Sequence, residues 1–228
     1  MRMRKKRHLE SRLESVGGSL LLVEGSGFYH KSDDERTNHF DWAEVFGNDN
    51  PVEVEIGCGK GQFVIESAKR NPNINYVAIE KISNVIITAC ERAEKEEVKN
   101  VRFLNCDAFN LLYYFPKPAA QAIYLNFSTP YPQKTYAGKR LTHPKYIRIY
   151  SQILLNGGVI VQKTDDRTLF EYSIESFSAC GYKLSRVTLD LHNSYYSEGN
   201  IVTEYENNFA SRGLPIYSLT ATKMQDNM

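Results

Sequence analysis

The 228-residue chain has four cysteines, at 58, 90, 106 and 180, and no Cys-x-x-Cys pair. That removes the usual frames for a structural zinc or a disulfide scaffold and suits reduced thiols in a cytoplasm, with no metal expected. Long apolar runs are missing too. The longest aliphatic stretch, Leu20-Leu21-Leu22-Val23, falls far short of the roughly 20 residues that span a bilayer. No apolar segment follows the basic start, so neither a secretory leader nor a membrane partner is expected. There is no internal repeat and no low-complexity tract. An excess of one charge is also absent: the net charge is +1, with 24% charged and 42% hydrophobic residues, as in a soluble globular protein. The length suits one main core.

The small net charge is unevenly spread. Residues 1–12 hold Arg2, Arg4, Lys5, Lys6, Arg7 and Arg12 against Glu10, a net of +5, which leaves −4 for the other 216. A basic arm on a slightly acidic body suits contact with a polyanion, or serves as a solubilising tail. Residues 1–50 are polar, carry Gly17-Gly18, Gly25 and Gly27, and read as an arm and a loosely structured lead-in. From 51 to 228 the pattern is that of a folded domain.

Strand patterns at 52–56, 74–79, 101–105, 122–127 and 159–162 alternate with helical ones at 61–70, 83–97, 143–155 and 167–179. Two late strands, at 183–190 and 216–222, flank a short helix near 203–211. Alternation of this kind predicts an α/β fold, a mostly parallel sheet covered on both faces. Ligands of such sheets sit beyond the carboxyl ends of the strands, where the strand order switches.

The unusual residues fall at those ends. Gly57-Cys58-Gly59-Lys60-Gly61 follows the first core strand and opens a helix, so the backbone turns tightly with no Cβ in a ligand's way. The spacing is G-x-G-x-G, not the G-x-G-x-x-G of dinucleotide binders. Glu80 ends the next strand, where a carboxylate accepts from ribose hydroxyls, and Asp107 follows the third, within reach of an adenine amino group. Together they point to a nucleoside cofactor. Glu55 stands at the ligand end of its strand, suited to an ammonium; Glu53 reads as a solvated strand face. After the fourth strand, Pro130-Tyr131 offers a stacking surface for a flat base. Lys134, Lys139, Arg140, His143, Lys145 and Arg148 lie among Tyr131, Tyr136, Tyr146 and Tyr150, a mixture suited to phosphate and base contact or to a solvated helix face. Thr203-Glu204-Tyr205-Glu206 has the form of a capping box, and Asp165-Asp166 precedes a helix that either acid could cap.

Long segments of the chain resemble the TrmB-type tRNA (guanine-N7)-methyltransferases, especially the Gram-positive form. They include the Met-Arg-Met-Arg start, Phe46-Gly47-Asn48-Asp49-Asn50-Pro51, Glu55 through Phe63, Tyr124-Leu125-Asn126-Phe127-Ser128, Lys163-Thr164-Asp165, Leu189 through Ser194, and Thr203-Glu204-Tyr205-Glu206. The resemblance implies a Rossmann-like class I fold with a seven-stranded sheet, a methyltransferase domain over 51–228, and S-adenosyl-L-methionine as cofactor. It implies transfer to guanine N7 at position 46, in the variable loop of a tRNA partner, by a cytoplasmic monomer or homodimer. Glu55, Glu80 and Asp107 match the family's cofactor acids, beside Gly57, Gly59 and Gly61. Asp165 and Thr203, Glu204, Tyr205 and Glu206 match its substrate positions.

One segment departs. Where the family has Ser-Asp-Pro-Trp-Pro-Lys-Lys, this chain has Ser128-Thr129-Pro130-Tyr131-Pro132-Gln133-Lys134. Thr129 takes the place of the aspartate assigned as catalytic, Tyr131 that of the tryptophan, and Gln133 that of a substrate-binding lysine next to Lys134. The departure leaves three readings open: an enzyme with a weaker base clamp, a cofactor- and RNA-binding paralogue with little turnover, or an enzyme for another nucleobase.

Overall fold

The computed structural model describes residues 6–23, 40–115 and 117–224. The Met1–Arg4 start and Gly25 and Gly27 lie outside them. Elements follow in the order α1 (Leu9–Val16), β1 (Leu21–Val23), α2 (Trp42–Phe46), β2 (Val52–Ile56), α3 (Gln62–Arg70), β3 (Asn75–Ile79), α4 (Ser83–Lys95), β4 (Val101–Leu104), β5 (Ala120–Asn126), α5 (Pro144–Ile153), β6 (Leu154–Thr164), α6 (Arg167–Ala179), β7 (Tyr182–Thr188), α7 (Glu204–Ala210) and β8 (Tyr217–Lys223). The strands form one sheet in the order β1-β4-β3-β2-β5-β6-β8-β7. The pairs from β1 to β6 are parallel, and β8 is antiparallel to both β6 and β7.

Eight strands replace the expected seven, because the lead-in contributes one. Leu9, Leu13 and Val16 recur at helical spacing and are buried against α4, and Leu21 pairs with Phe103 at the edge of the sheet. Arg12 adds a two-pronged bond to Glu91 of α4, at 2.6 and 2.7 Å. The described part of the lead-in is therefore built into the fold. Its short apolar stripe is masked in the sequence by the basic residues around it.

Alternation along the strands sorts the two faces. On β3, Tyr76 and Ala78 join a core with α1, α3 and α4, while Val77 and Ile79 join a second core with α2, α5 and α6. β2 lies between β3 and β5 with all five residues buried. Glu53 is thus not on a solvated face. It is 7% exposed and accepts from Gln121 Nε2 at 2.9 Å and Tyr124 Oη at 3.0 Å, both donors from β5. A carboxylate can stand in a central strand because its neighbour supplies the hydrogen bonds.

The chain steps from β2 to β3 and β4 on one side, then returns to place β5 on the other. The switch in strand order therefore falls at the carboxyl ends of β2 and β5. Truncation of Leu13 to Ala should lower stability by about 2–4 kcal/mol in urea unfolding, since the side chain is buried. Exposed Glu14→Ala should stay within about 0.5 kcal/mol. Equal, small effects at both positions would show that α1 is not docked.

Candidate functional site

The turn after β2 is held by its neighbour strand. Gly57 and Cys58 both donate to Ile79 O, at 2.7 and 3.0 Å. Gly57 and Gly61 have φ of 81° and 79°, a region that L side chains rarely enter. A Cβ on Gly61 would meet Ala89 Cβ at 2.8 Å, so this glycine lets α3 and α4 approach. A Cβ on Gly57 or Gly59 would meet nothing within 4 Å, so their bare backbone faces open space.

Two cavities meet at this turn and share Gly57 and Phe127. The first, of about 310 Å³, is lined by Glu80 and Asp107 on one side and Ser128, Thr129 and Tyr131 on the other. Glu80 Oε1 accepts from Ile82 N at 2.9 Å, and Asp107 Oδ1 accepts from Phe109 N at 2.9 Å. Each acid thus uses one oxygen to cap the backbone that follows it. The second cavity, of about 600 Å³, is lined by Glu55, Gly59, Gln62, Asn126, Thr203, Glu204 and Tyr205 among others.

Glu55 has the most unusual surroundings. It is 3% exposed; Asn126 Nδ2 donates to its Oε1 at 3.0 Å, and its buried Oε2 has no partner in the chain. Burial pushes its pKa up to about 7, against the pull of the Asn126 hydrogen bond, of Lys163 and of the nearby Val64 amide. Asn126 Oδ1 and Ser128 Oγ, at the end of β5 and just beyond it, are also buried and unpartnered. Buried polar atoms are normally satisfied. Three orphans around one glycine turn mark a place where a polar ligand completes the bonding, and an ammonium suits the carboxylate.

The segment after β5 is strained. Phe127 and Tyr131 have φ of 53° and 43°, unusual for aromatic residues. Arg140 holds it. Its Nε donates to Pro130 O and its Nη2 to Tyr131 O, both at 3.0 Å, while its guanidinium stacks on Tyr172 at 4.4 Å. Arg140 is 6% exposed, so the structure assigns it to the loop instead of to phosphate contact. Thr129 is exposed at the cavity wall. Gln133 and Lys134 are exposed as well but line neither cavity; Gln133 starts a 3-10 turn over Lys134–Lys139.

Across the second cavity, the capping box forms as its spacing predicts. Thr203 Oγ1 accepts from Glu206 N at 3.1 Å, and Glu206 Oε2 accepts from Thr203 N at 3.4 Å. Glu204 N donates to Gln62 Oε1. The Tyr205 ring lies 5.0 Å from that of Phe127, and its hydroxyl reaches Asp165 Oδ2 at 3.5 Å. Of the two adjacent acids, Asp166 is the cap, accepting from Leu169 N at 2.6 Å. Glu206 differs from its neighbours in being fully buried. It pairs with Lys163 at 2.7 Å, a lysine to which sequence reasoning gave no role. The available signal was a cation, with Gln162, closing the apolar run Val159-Ile160-Val161. Among the described residues, no three His, Cys, Asp or Glu side chains gather to hold a metal, and no helix is long and apolar enough to cross a membrane.

The chain matches the family model described as "Putative methyltransferase" over residues 49–219. Among curated proteins it is similar to the tRNA (guanine-N(7)-)-methyltransferase of Listeria monocytogenes serotype 4b, 51% identical over 79% of this chain and 84% of the relative. The enzyme of that name from Lachnoclostridium phytofermentans is 41% identical over 94% of this chain and all of its own length. That of Bacillus subtilis strain 168 is 49% identical over 77% and 82%. Among solved structures, the 16S rRNA methyltransferase KamB superposes with a TM-score of 0.60 at 16% identity, covering 89% of this chain and 99% of its own; that likeness concerns the fold. Strand order, glycine turn and relatives agree, and the chain belongs to the tRNA (guanine-N7)-methyltransferase family.

Proposed function

We propose that the protein transfers a methyl group from S-adenosyl-L-methionine to N7 of a guanine in the variable loop of tRNA, at position 46. The observation that carries this reading is the buried Glu55 carboxylate, with its Oε2 unpartnered, beside a bare glycine turn, with Glu80 and Asp107 following the next two strands of the sheet. Family membership supplies the acceptor. Action as a monomer or homodimer is part of the same proposal, and tRNA modification suits the cytoplasm.

In this reading Glu55 holds the ammonium of the methionine end, Glu80 the ribose hydroxyls and Asp107 the adenine amino group. Gly57, Gly59 and Gly61 let the backbone lie close. When bound, the cofactor supplies a methyl group activated on a sulfonium. Guanine N7 has a free lone pair, so no residue need remove a proton before attack. The protein's part is to align the base and to favour the movement of positive charge onto it. Thr129 and Tyr131 from the first cavity and Thr203, Glu204 and Tyr205 from the second serve the acceptor, with Asp165 bonded to the Tyr205 hydroxyl and Gln133 and Lys134 further out for the RNA backbone. Threonine at 129 accepts only a neutral hydrogen bond from the guanine edge. That is about 1–2 kcal/mol weaker than the bond to a carboxylate, or roughly tenfold in rate.

Protein incubated with S-adenosylmethionine and unmodified tRNA should yield 7-methylguanosine by nucleoside mass spectrometry. No product, with cofactor binding intact, overturns the assignment. Thr129→Asp combined with Gln133→Lys should raise kcat/KM by about tenfold; an unchanged or lower value removes Thr129 from the base clamp.

Glu55 also sets a pH dependence. Its folded pKa, about 7, lies above the ordinary 4.5. An ammonium needs the ionised form, so affinity for S-adenosylhomocysteine should fall below pH 7, by up to about tenfold per unit. The raised pKa means that charge burial costs nothing below the ordinary value and its full amount above pH 7. Glu55→Gln should therefore raise the melting temperature at pH 8 and hardly at pH 4, while weakening the cofactor. Calorimetric affinities that are flat from pH 6 to 8 would exclude this role.

A further inference from the structure

Lys163 stands at the end of β6 with 5% of its side chain exposed, and it is fully used within the chain. Its Nζ donates to Glu206 Oε2 at 2.7 Å, Ile201 O at 2.9 Å and Asn200 Oδ1 at 3.0 Å. An ammonium has three hydrogens, so none is left for a ligand. Glu206 is equally committed. Its Oε2 takes Lys163 and the Thr203 amide, and its Oε1 takes Asn200 Nδ2 at 2.6 Å with His192 Nε2 3.1 Å away. With its side chain 0% exposed, it reaches no molecule outside the chain.

What the pair holds is the segment from Asn200 to Glu206, and the middle of that segment, Thr203 to Tyr205, is one wall of the larger cavity. Thr203, Glu204 and Tyr205 line it, with the Tyr205 ring packed on Phe127 of the opposite wall. The same lysine lies 5.8 Å above the Phe127 ring and 5.5 Å above that of Phe63, and its charge is felt at Glu55. A buried ion pair is a poor way to gain stability. Apolar residues of similar size often do as well or better, because two charges need not be dehydrated. The arrangement gains in placement: one directional anchor fixes the height and tilt of the Thr203–Tyr205 wall relative to the cofactor side.

We infer that Lys163 is a positioning residue for the acceptor, acting through Glu206, and that Glu206 anchors the acceptor wall without touching RNA. The inference rests on the proposed function for the identity of the acceptor. Its test does not require turnover. The full-length Lys163→Met/Glu206→Leu protein, saturated with S-adenosylhomocysteine, is compared with wild type in binding unmodified tRNA by filter retention over a range of salt. Losing Lys163 removes a charge that favours ionised Glu55, so S-adenosylhomocysteine binds more weakly and saturation is confirmed for each protein; at saturation tRNA affinity should fall about tenfold, with kcat/KM down about a hundredfold. The slope of log affinity against log salt should not change, because neither side chain meets a phosphate. Direct phosphate contact by Lys163 would lower that slope by about one. Glu206→Gln, which keeps shape and volume, should move the same quantities in the same direction by less, and decides the matter if the double variant does not fold. Wild-type affinity for tRNA in the folded variants, or a slope reduced by about one, overturns the inference. Wild-type protein that binds tRNA but forms no 7-methylguanosine overturns the proposed function and leaves the binding comparison valid.

Discussion

The site depends on charge kept away from water at the carboxyl ends of adjacent parallel strands. β2 ends near Glu55, β5 at Asn126 and β6 near Lys163; the register sets Lys163 opposite Asn126, and Asn126, two residues beyond Glu55's own partner Tyr124, reaches across to the Glu55 carboxylate. One buried cation faces two buried carboxylates, Glu206 with every oxygen engaged and Glu55 with one oxygen left over. Such a cluster is tolerable only if each charge is met by a partner. The chain meets all but one. In the proposed function the unfilled place takes the ammonium of the cofactor, so the arrangement that strains the empty protein also selects what fills it.

The acceptor side follows a different principle. Its loop is shaped by backbone strain, with Phe127 and Tyr131 both at positive φ and the carbonyls between β5 and the 3-10 turn drawn toward Arg140. The strain is sustained by packing on each side: the Tyr205 ring against Phe127, and Tyr172 beneath the arginine. Thr129 sits in the middle of this scaffold. In the proposed function, threonine in place of a carboxylate alters one hydrogen-bonding group within a loop that Arg140 holds, which fits a tuned clamp better than a dismantled site.

Much of this was legible in the sequence. Strand–helix alternation from Val52 onward marks the parallel sheet, and acids placed after successive strands mark the ligand end, because those patterns are local. α6 falls on the expected Arg167–Ala179. What escaped depends on distant neighbours. Glu53 looked solvated because alternation with apolar residues usually means a wet face, and only β5 shows where its partners come from. Arg140 looked like one more cation in a basic run, and Lys163 like a motif letter. α1 and β1 were hidden by the charge around them. The family motif puts Glu206 among substrate positions, whereas the structure buries it and pairs it with Lys163, a contact that only the packed fold reveals.

The eighth strand has a consequence for the molecule in a crowded solution. A sheet ends in two rows of unsatisfied backbone groups, and each invites a strand from another molecule. β1 covers β4 with only three residues, too few to offer much of a new edge. At the far end β7 is the outer strand, and there its pairing with β8 slips between Ser185 and Thr188, where Arg186 adopts a φ of 49°. A kinked rim bearing an arginine is a poor template for strand addition. Among the described residues, the two borders of the sheet thus resist strand addition by opposite means, one by being short and the other by being bent.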